Sequence, residues 1–190
     1  MRTLISTAFI SLDGVVEDPG GQSDYRNAGW TFKQVDFVPE AYAIKGSEQM
    51  ESTAILMGRN SYELFSPVWP GMQEFGHYKG LPKYVVSTTL TEDDLVDDWG
   101  PTTILRSLDE VAALKQTEGG PIIVHGSVEL NHALSDAGLI DQYNLLVFPL
   151  LLGAGQRLFS GTDKNAQKLK LVDSEVYSNG IQKNVFEVVR

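Results

Sequence analysis

The sequence predicts an α/β three-layer sandwich built around a mixed β-sheet. Three observations carry this. Short apolar runs that read as buried strands alternate with turn signals and helical patterns along most of the chain. Ser107-Leu108-Asp109-Glu110 forms a capping box that opens a helix. Near the C-terminus two strand-like segments flank the turn Ser178-Asn179-Gly180, which reads as an antiparallel hairpin.

Taken in order, Thr3 to Ser11 is apolar and β-rich and stops at Leu12-Asp13-Gly14, where Asp and Gly supply turn chemistry. The polar, glycine-rich stretch from Glu17 to Gly29 is too long for a simple connection and reads as a loop of the kind that lies over binding sites. Pro39 to Ser52 has helical composition, with Pro39 suited to a first turn. Ala54 to Met57 is a strand closed by Gly58, and Ser61 to Phe65 a short helix before Pro67. Tyr84 to Ser87 and Thr102 to Leu105 are strands, and the capped helix runs to about Lys115. Ile122 to His125 is a strand. In the helix after Gly126-Ser127, Leu130, Ala133, Leu134 and Ala137 share one face, and Gly138 follows as the C-cap. Gln142 to Leu152 is the most apolar strand; Leu169 to Asp173 with Glu175 to Tyr177, and Val185 to Val189, are the last ones.

The 190 residues are 42 % hydrophobic and 21 % charged, and a chain of this length buries about 70 % of its unfolded surface. One domain over residues 1–190 is expected. Acidic residues number 25 against 15 basic, a net charge of −10, which repels phosphate backbones and anionic lipid at long range. Neither nucleic acid nor a membrane is therefore an expected partner. The absence of cysteine excludes disulfides, thiol catalysis, iron–sulfur clusters and Cys-ligated zinc, and a cytoplasmic location is expected. The longest apolar run, Leu145 to Leu152, contains Pro149 and falls far short of the roughly 18 residues a membrane helix needs. Met1-Arg2-Thr3-Leu4 leads straight into an alternating segment and reads as the start of the first strand, not as a signal peptide.

Phosphate-loop, nucleophile-elbow and zincin motifs are absent, and Gly153-Ala154-Gly155 lacks the third glycine of a Rossmann fingerprint. His77, His125 and His132 are scattered, and no metal is expected. Two strand-to-helix junctions stand out: Met57-Gly58-Arg59-Asn60-Ser61 and His125-Gly126-Ser127. At each, glycine permits close backbone approach, and the free N–H groups of a helix start can donate to phosphate oxygens. Arg59 adds a permanent cation; Ser61, Ser87 and Ser127 add hydroxyls at the ends of neighbouring strands, where ligands of open α/β sheets collect. Local chemistry alone leaves a second reading open, in which the glycines are tight turns, the serines are caps and Arg59 is a solvated surface residue.

Taken in order, five blocks resemble the dihydrofolate-reductase-like superfamily, and within it the stand-alone relatives of the C-terminal reductase domain of the bifunctional riboflavin-biosynthesis deaminase-reductase. They are Ser11-Leu12-Asp13-Gly14, Ile55 to Glu63, Pro82 to Ser87, Ile123 to Ser127, and Gly138 to Tyr143 continuing through Pro149 to Gly153. The resemblance covers nearly the whole chain and implies a mainly parallel mixed sheet, with NADPH as hydride donor and the nicotinamide beside the end of the first strand at Gly14. It implies that Gly58, Arg59 and Ser61 form the turn at the 2′-phosphate and pyrophosphate, with Ser87 and Arg106 near the adenosine end and Gly126 and Ser127 at the second phosphate turn. This chain carries Ser127 where the family has a second glycine.

The substrate half matches less closely. Folate reductases handle the proton with one acidic residue shortly after a tryptophan, which points to Asp36 after Trp30, with Trp30 at the substrate; Asp13 is the second acidic candidate. Asp13 also reads as an Asx-type turn residue and Trp30 as core. With no cysteine, these residues hold no counterpart of the bifunctional enzyme's Cys-containing zinc site. The expected function is thus an NADPH-dependent reductase of a small planar heterocycle, pterin-like or aminopyrimidine-like. The alternative is a non-catalytic nucleotide-binding module that keeps the fold. A small-molecule substrate and a homodimer are the expected partners, the family commonly pairing and the late apolar strands offering a self-complementary patch.

Overall fold

The computed structural model describes residues 1–159, 161 and 166–190. Eight strands form one sheet in the order β4-β3-β2-β5-β1-β6-β8-β7: β1 (Leu4–Ser11), β2 (Ala54–Gly58), β3 (Lys83–Val86), β4 (Thr102–Leu105), β5 (Ile122–Val124), β6 (Gln142–Phe148), β7 (Leu169–Val176) and β8 (Gln182–Val188). The pairs β1/β5, β5/β2, β2/β3 and β3/β4 are parallel. The pairs β6/β8 and β8/β7 are antiparallel. This is the mixed, mainly parallel sheet with a closing hairpin that the sequence predicts. The chain packs as two compact units, one of Met1–Ser6 with Lys45–Asp141, the other of Thr7–Ile44 with Gln142–Arg190.

In the first unit the central parallel strands β2 and β5 are buried at every residue, as helices on either side of a parallel sheet require, whereas the edge strand β4 is buried only at Leu105. The helices are α2 (Ala43–Glu51, all but its first two residues in this unit), α3 (Arg59–Phe65), α4 (Gly76–Gly80), α5 (Leu108–Lys115) and α6 (Val128–Asp136). Ser107 caps α5, its hydroxyl accepting from Glu110 N. The reciprocal half of the capping box is displaced by one residue, because the Glu110 carboxylate accepts from Arg106 N at 2.8 Å. The core gathers Ile55, Met57, Tyr62, Trp69, Tyr78, Val85, Leu90, Trp99 and Ile123. Fully buried Lys83 donates to the carbonyls of Tyr78 and Lys79 at 2.6 and 2.8 Å, closing the C-terminal end of α4, and lies 5.0 Å from the Trp99 ring centre. Burial lowers its pKa to about 8.

The second unit has its own core of Val15, Trp30, Ala41, Leu146, Phe148, Leu152 and Ile181. A short helix, α1 (Trp30–Lys33), unanticipated from the sequence, is stitched to the preceding loop by Trp30 Nε1 donating to Glu17 O at 2.8 Å. The segment expected to be a strand through Leu152 ends at Phe148, since Pro149 has no N–H to continue the ladder. The two late segments around Ser174 are one strand, β7, with a register shift between Leu171 and Asp173.

One polar pair lies inside the first unit. His125 Nε2 is 2.9 Å from the Tyr78 hydroxyl, with Trp69 and Tyr78 edge-on to the imidazole. Burial first, and then the nearby Lys45 cation, lower the His125 pKa to about 3. Burial and the Glu48 charge raise that of Tyr78. A histidine held neutral in the fold takes up a proton on unfolding below its ordinary value near 6.5, so its contribution is complete above that pH and declines as pH falls towards 3. Urea unfolding at pH 7 and pH 5 is expected to show a loss on acidification that is about 2 kcal/mol larger in the native protein than in His125→Gln; equal pH dependence in the two proteins would contradict this.

Candidate functional site

The first unit carries a groove of about 650 Å³ at the C-terminal ends of its parallel strands. Gly58 and Arg59 come from the end of β2, Ser87, Thr88 and Thr89 follow β3, Arg106 and Ser107 follow β4, and Ser127 follows β5. Short loops leaving successive parallel strands on the same side are what bring these residues together.

Gly58, which lines the groove, meets the turn at Gly126. Gly58 N donates to Gly126 O at 3.1 Å. A β-carbon at Gly58 would lie 2.4 Å from Ser127 Oγ, and one at Gly126 would lie 2.6 Å from Ser61 Oγ. Gly126 also has φ +68°, a conformation that side-chain-bearing residues rarely adopt. Ser61 is buried beneath this contact, whereas Ser127 faces the groove.

Most polar groups of the walls are already oriented. Arg59 donates from Nε to Glu63 at 2.6 Å and from Nη1 to Thr89 Oγ1 at 2.6 Å. Ser87 Oγ accepts from the amides of Thr89 and Leu90 at 3.2 and 2.9 Å, which leaves its hydroxyl proton to donate elsewhere. Arg106 Nη1 ties the carbonyls of Ser87 and Leu90 at 2.9 and 2.7 Å, pinning the loop after β3 to the end of β4. A site of two guanidinium groups and several hydroxyls within this volume suits an elongated, phosphate-bearing ligand. Sequence reasoning missed Asn60, Glu63, Thr88, Thr89, Ser107 and Glu129 of the lining. Thr88 and Thr89 were signalled by directly following Ser87; Glu63 was signalled by its i,i+4 spacing from Arg59.

The remaining expected residues belong to the second unit. Trp30, expected at the substrate, has no exposed surface and stands edge-on to Phe148 at 5.1 Å, packed in the core of this unit. Asp13 is a clamp. Its Oδ1 accepts from Ser11 Oγ at 2.6 Å and Leu152 N at 3.1 Å, and its Oδ2 from Gly153 N at 2.8 Å. The Ser11 hydroxyl, then the Gly153 and Leu152 amides, hold its carboxyl down at about 2 against the opposing effect of burial. The carboxylate is therefore ionised at neutral pH and has no proton to give. Gly14, with φ +86°, completes the same turn, donating to Ser11 O and accepting from Leu158 N. Asp36 is exposed, and its backbone carbonyl accepts from Asn179 Nδ2 at 2.8 Å. A smaller hollow of about 330 Å³ in this unit is lined by Arg26, Asn27, Gln34 and three leucines, and offers fewer donors than the groove.

The sequence profile of the RibD C-terminal domain family matches residues 2–183. The uncharacterized Bacillus subtilis proteins YyaP and YwjB are 28 % and 25 % identical, the alignments spanning 97 % and 95 % of this chain and 94 % and 95 % of theirs. Among solved structures, a candidate riboflavin biosynthesis protein of Shewanella sp. PV-4 superposes with a TM-score of 0.77 at 22 % identity over 99 % of both chains. RibD of Acinetobacter baumannii gives a TM-score of 0.68 at 15 % identity, matching all of this chain and 59 % of its own. A pyrimidine reductase-like protein of Corynebacterium diphtheriae gives 0.62 at 13 % identity, over 99 % of this chain and 92 % of its own. These likenesses establish the fold.

The glycine contact is open to direct test. Gly126→Ala meets both the positive φ and the Ser61 hydroxyl, and is expected to destabilise by about 2–3 kcal/mol. Gly14→Ala meets only the positive φ, with nothing within 4 Å of its new β-carbon, and should cost about 1 kcal/mol. Equal losses in denaturant titration would show that close approach at Gly126 is not limiting.

Proposed function

Because this chain belongs to the RibD C-terminal domain family, we propose that it is a reductase of the riboflavin-biosynthesis type that uses NADPH and acts on a small planar heterocycle. The substrate class is pterin-like or an aminopyrimidine such as 5-amino-6-(5-phosphoribosylamino)uracil. The observation that carries the reading is the groove, in which Arg59, Arg106 and the hydroxyls of Ser87, Thr89 and Ser127 gather beside Gly58, whose backbone meets that of Gly126. These residues fit a dinucleotide: Arg59 would hold the 2′-phosphate end, Ser87 and Arg106 the adenosine side, and the Gly58 and Gly126 turns the close approach of the pyrophosphate. NADPH, when bound, supplies the hydride; the protein's part is to bind, orient and exclude water.

One observation favours the second reading, a nucleotide-binding module without turnover. Asp13, one of the two acidic candidates, is ionised and fully committed to holding the turn at residues 152–153. Turnover with a heterocycle screen of pterins and aminopyrimidines separates the two readings, and loss of turnover in Asp36→Asn would assign the proton to that residue.

As partner we propose a second copy of this chain, paired through β7. This strand lies at the edge of the sheet, all but its first residue are exposed, and Leu171, Val172 and Val176 are among them. An exposed edge strand bearing apolar side chains offers backbone groups with which a second strand can pair.

Two outcomes are expected. Calorimetric titration should give micromolar affinity for NADPH, and Arg59→Ala should weaken it about 10- to 100-fold, the value of one or two charge-assisted hydrogen bonds, with a smaller loss for NADH. No binding of either nucleotide would remove the reductase reading. Light scattering should give a particle of two chains, reduced to one by Val172→Lys with Val176→Lys; a monomeric native protein would refute the pairing.

A further inference from the structure

Glu63 holds the guanidinium that the groove presents. Its Oε1 accepts from Arg59 Nε across one turn of α3, and Thr89 Oγ1 accepts from Arg59 Nη1. Two of the three guanidinium nitrogens are thereby committed, and Nη2 makes no hydrogen bond among the described residues. The other carboxylate oxygen, Glu63 Oε2, likewise has no hydrogen-bond partner among the described residues. Both side chains line the groove and stand about half-exposed, at 42 % and 48 %.

Charge in the lining is balanced. The lining holds two arginines, Arg59 and Arg106, and two glutamates, Glu63 and Glu129, so its formal charges cancel. Asp94 also lies in the field of Arg59, its carboxyl fixed on the Thr91 amide and hydroxyl. In a groove without net positive charge, on a chain of net charge −10, a dianionic phosphate has less advantage over a hydroxyl than beside an unpaired arginine. The chemistry of the pair is complementary to both. A carboxylate accepts from a ribose 2′-hydroxyl, and an adjacent arginine accommodates a 2′-phosphate.

We propose that Glu63 is the residue that sets the groove's choice between dinucleotides. By holding Arg59 while offsetting its charge, it admits forms with and without the ribose 2′-phosphate. The inference rests on the reductase reading above and concerns only how the nucleotide's ribose end is selected.

Glu63→Gln keeps an acceptor for Arg59 Nε and removes the charge, and the exposure of the side chain leaves the core untouched. The native protein is expected to bind NADPH and NADH, and in Glu63→Gln the ratio of the two affinities should move towards NADPH by about fivefold, the scale of one exposed charge pair. Glu63→Ala, which also releases Arg59, should gain less. A ratio unchanged in Glu63→Gln, or a native protein that binds NADPH and rejects NADH, overturns the proposal while leaving the reductase reading intact. A native protein that binds neither nucleotide overturns both. Thermal unfolding of each variant confirms that the comparison is between folded proteins.

Discussion

Two strand-end loops touch at Gly58 and Gly126, where an added β-carbon would stand 2.4 Å from the Ser127 hydroxyl and 2.6 Å from the Ser61 hydroxyl. The groove depends on this contact. Because Gly58 N reaches Gly126 O, the loops after β2 and β5 are joined by their backbones, and the side chains that follow, Arg59 and Ser127, are both set facing the groove. An added β-carbon would meet the Ser127 side chain at Gly58 and the Ser61 hydroxyl at Gly126, where the positive φ adds its own strain. The parallel register that aligns Ala54 with Ile122 and Ile55 with Ile123 brings the two loops to the same level.

The walls are built on a different principle. Arg106 reaches back to the carbonyls of Ser87 and Leu90, and Ser87 closes its own turn by accepting two amides. Polar groups that read as ligand-binding residues are thus also the devices that shape the loops, which reduces the ordering a ligand must impose on binding. Arg59 follows the same rule, held by Glu63 and Thr89 before any ligand arrives. The cost is electrostatic, since the carboxylate that orients the guanidinium also offsets its charge.

Much of the fold was legible in local sequence. The capping Ser107, the helical face from Leu130 to Leu134 and the apolar runs at Ala54 and Ile122 each carry their signal within a few residues, and each appears where expected. The groove residues at β-strand ends were legible for a similar reason, since strand ends and the glycines after them are marked in the chain. The short helices α1 and α4 were not. Trp30 anchors α1 through a bond to Glu17, and α4 ends on the ammonium of Lys83, contacts that no window centred on the helix contains.

By itself the sequence determined the order and type of the main elements, the mixed sheet and the position of the glycine turns, because periodicity, capping and turn chemistry act between neighbours. Tertiary structure alone decided what the individual side chains do. Asp13 is a clamp because residues 152 and 153 come back to present their amides to it, and Trp30 is core because Phe148 packs against it. Glu63 tempers Arg59 inside a groove lined also by residues from β3, α5 and α6 and the loops beside them. A carboxylate's role is set by the donors and charges that surround it, and those arrive from parts of the chain whose proximity only the folded sheet creates.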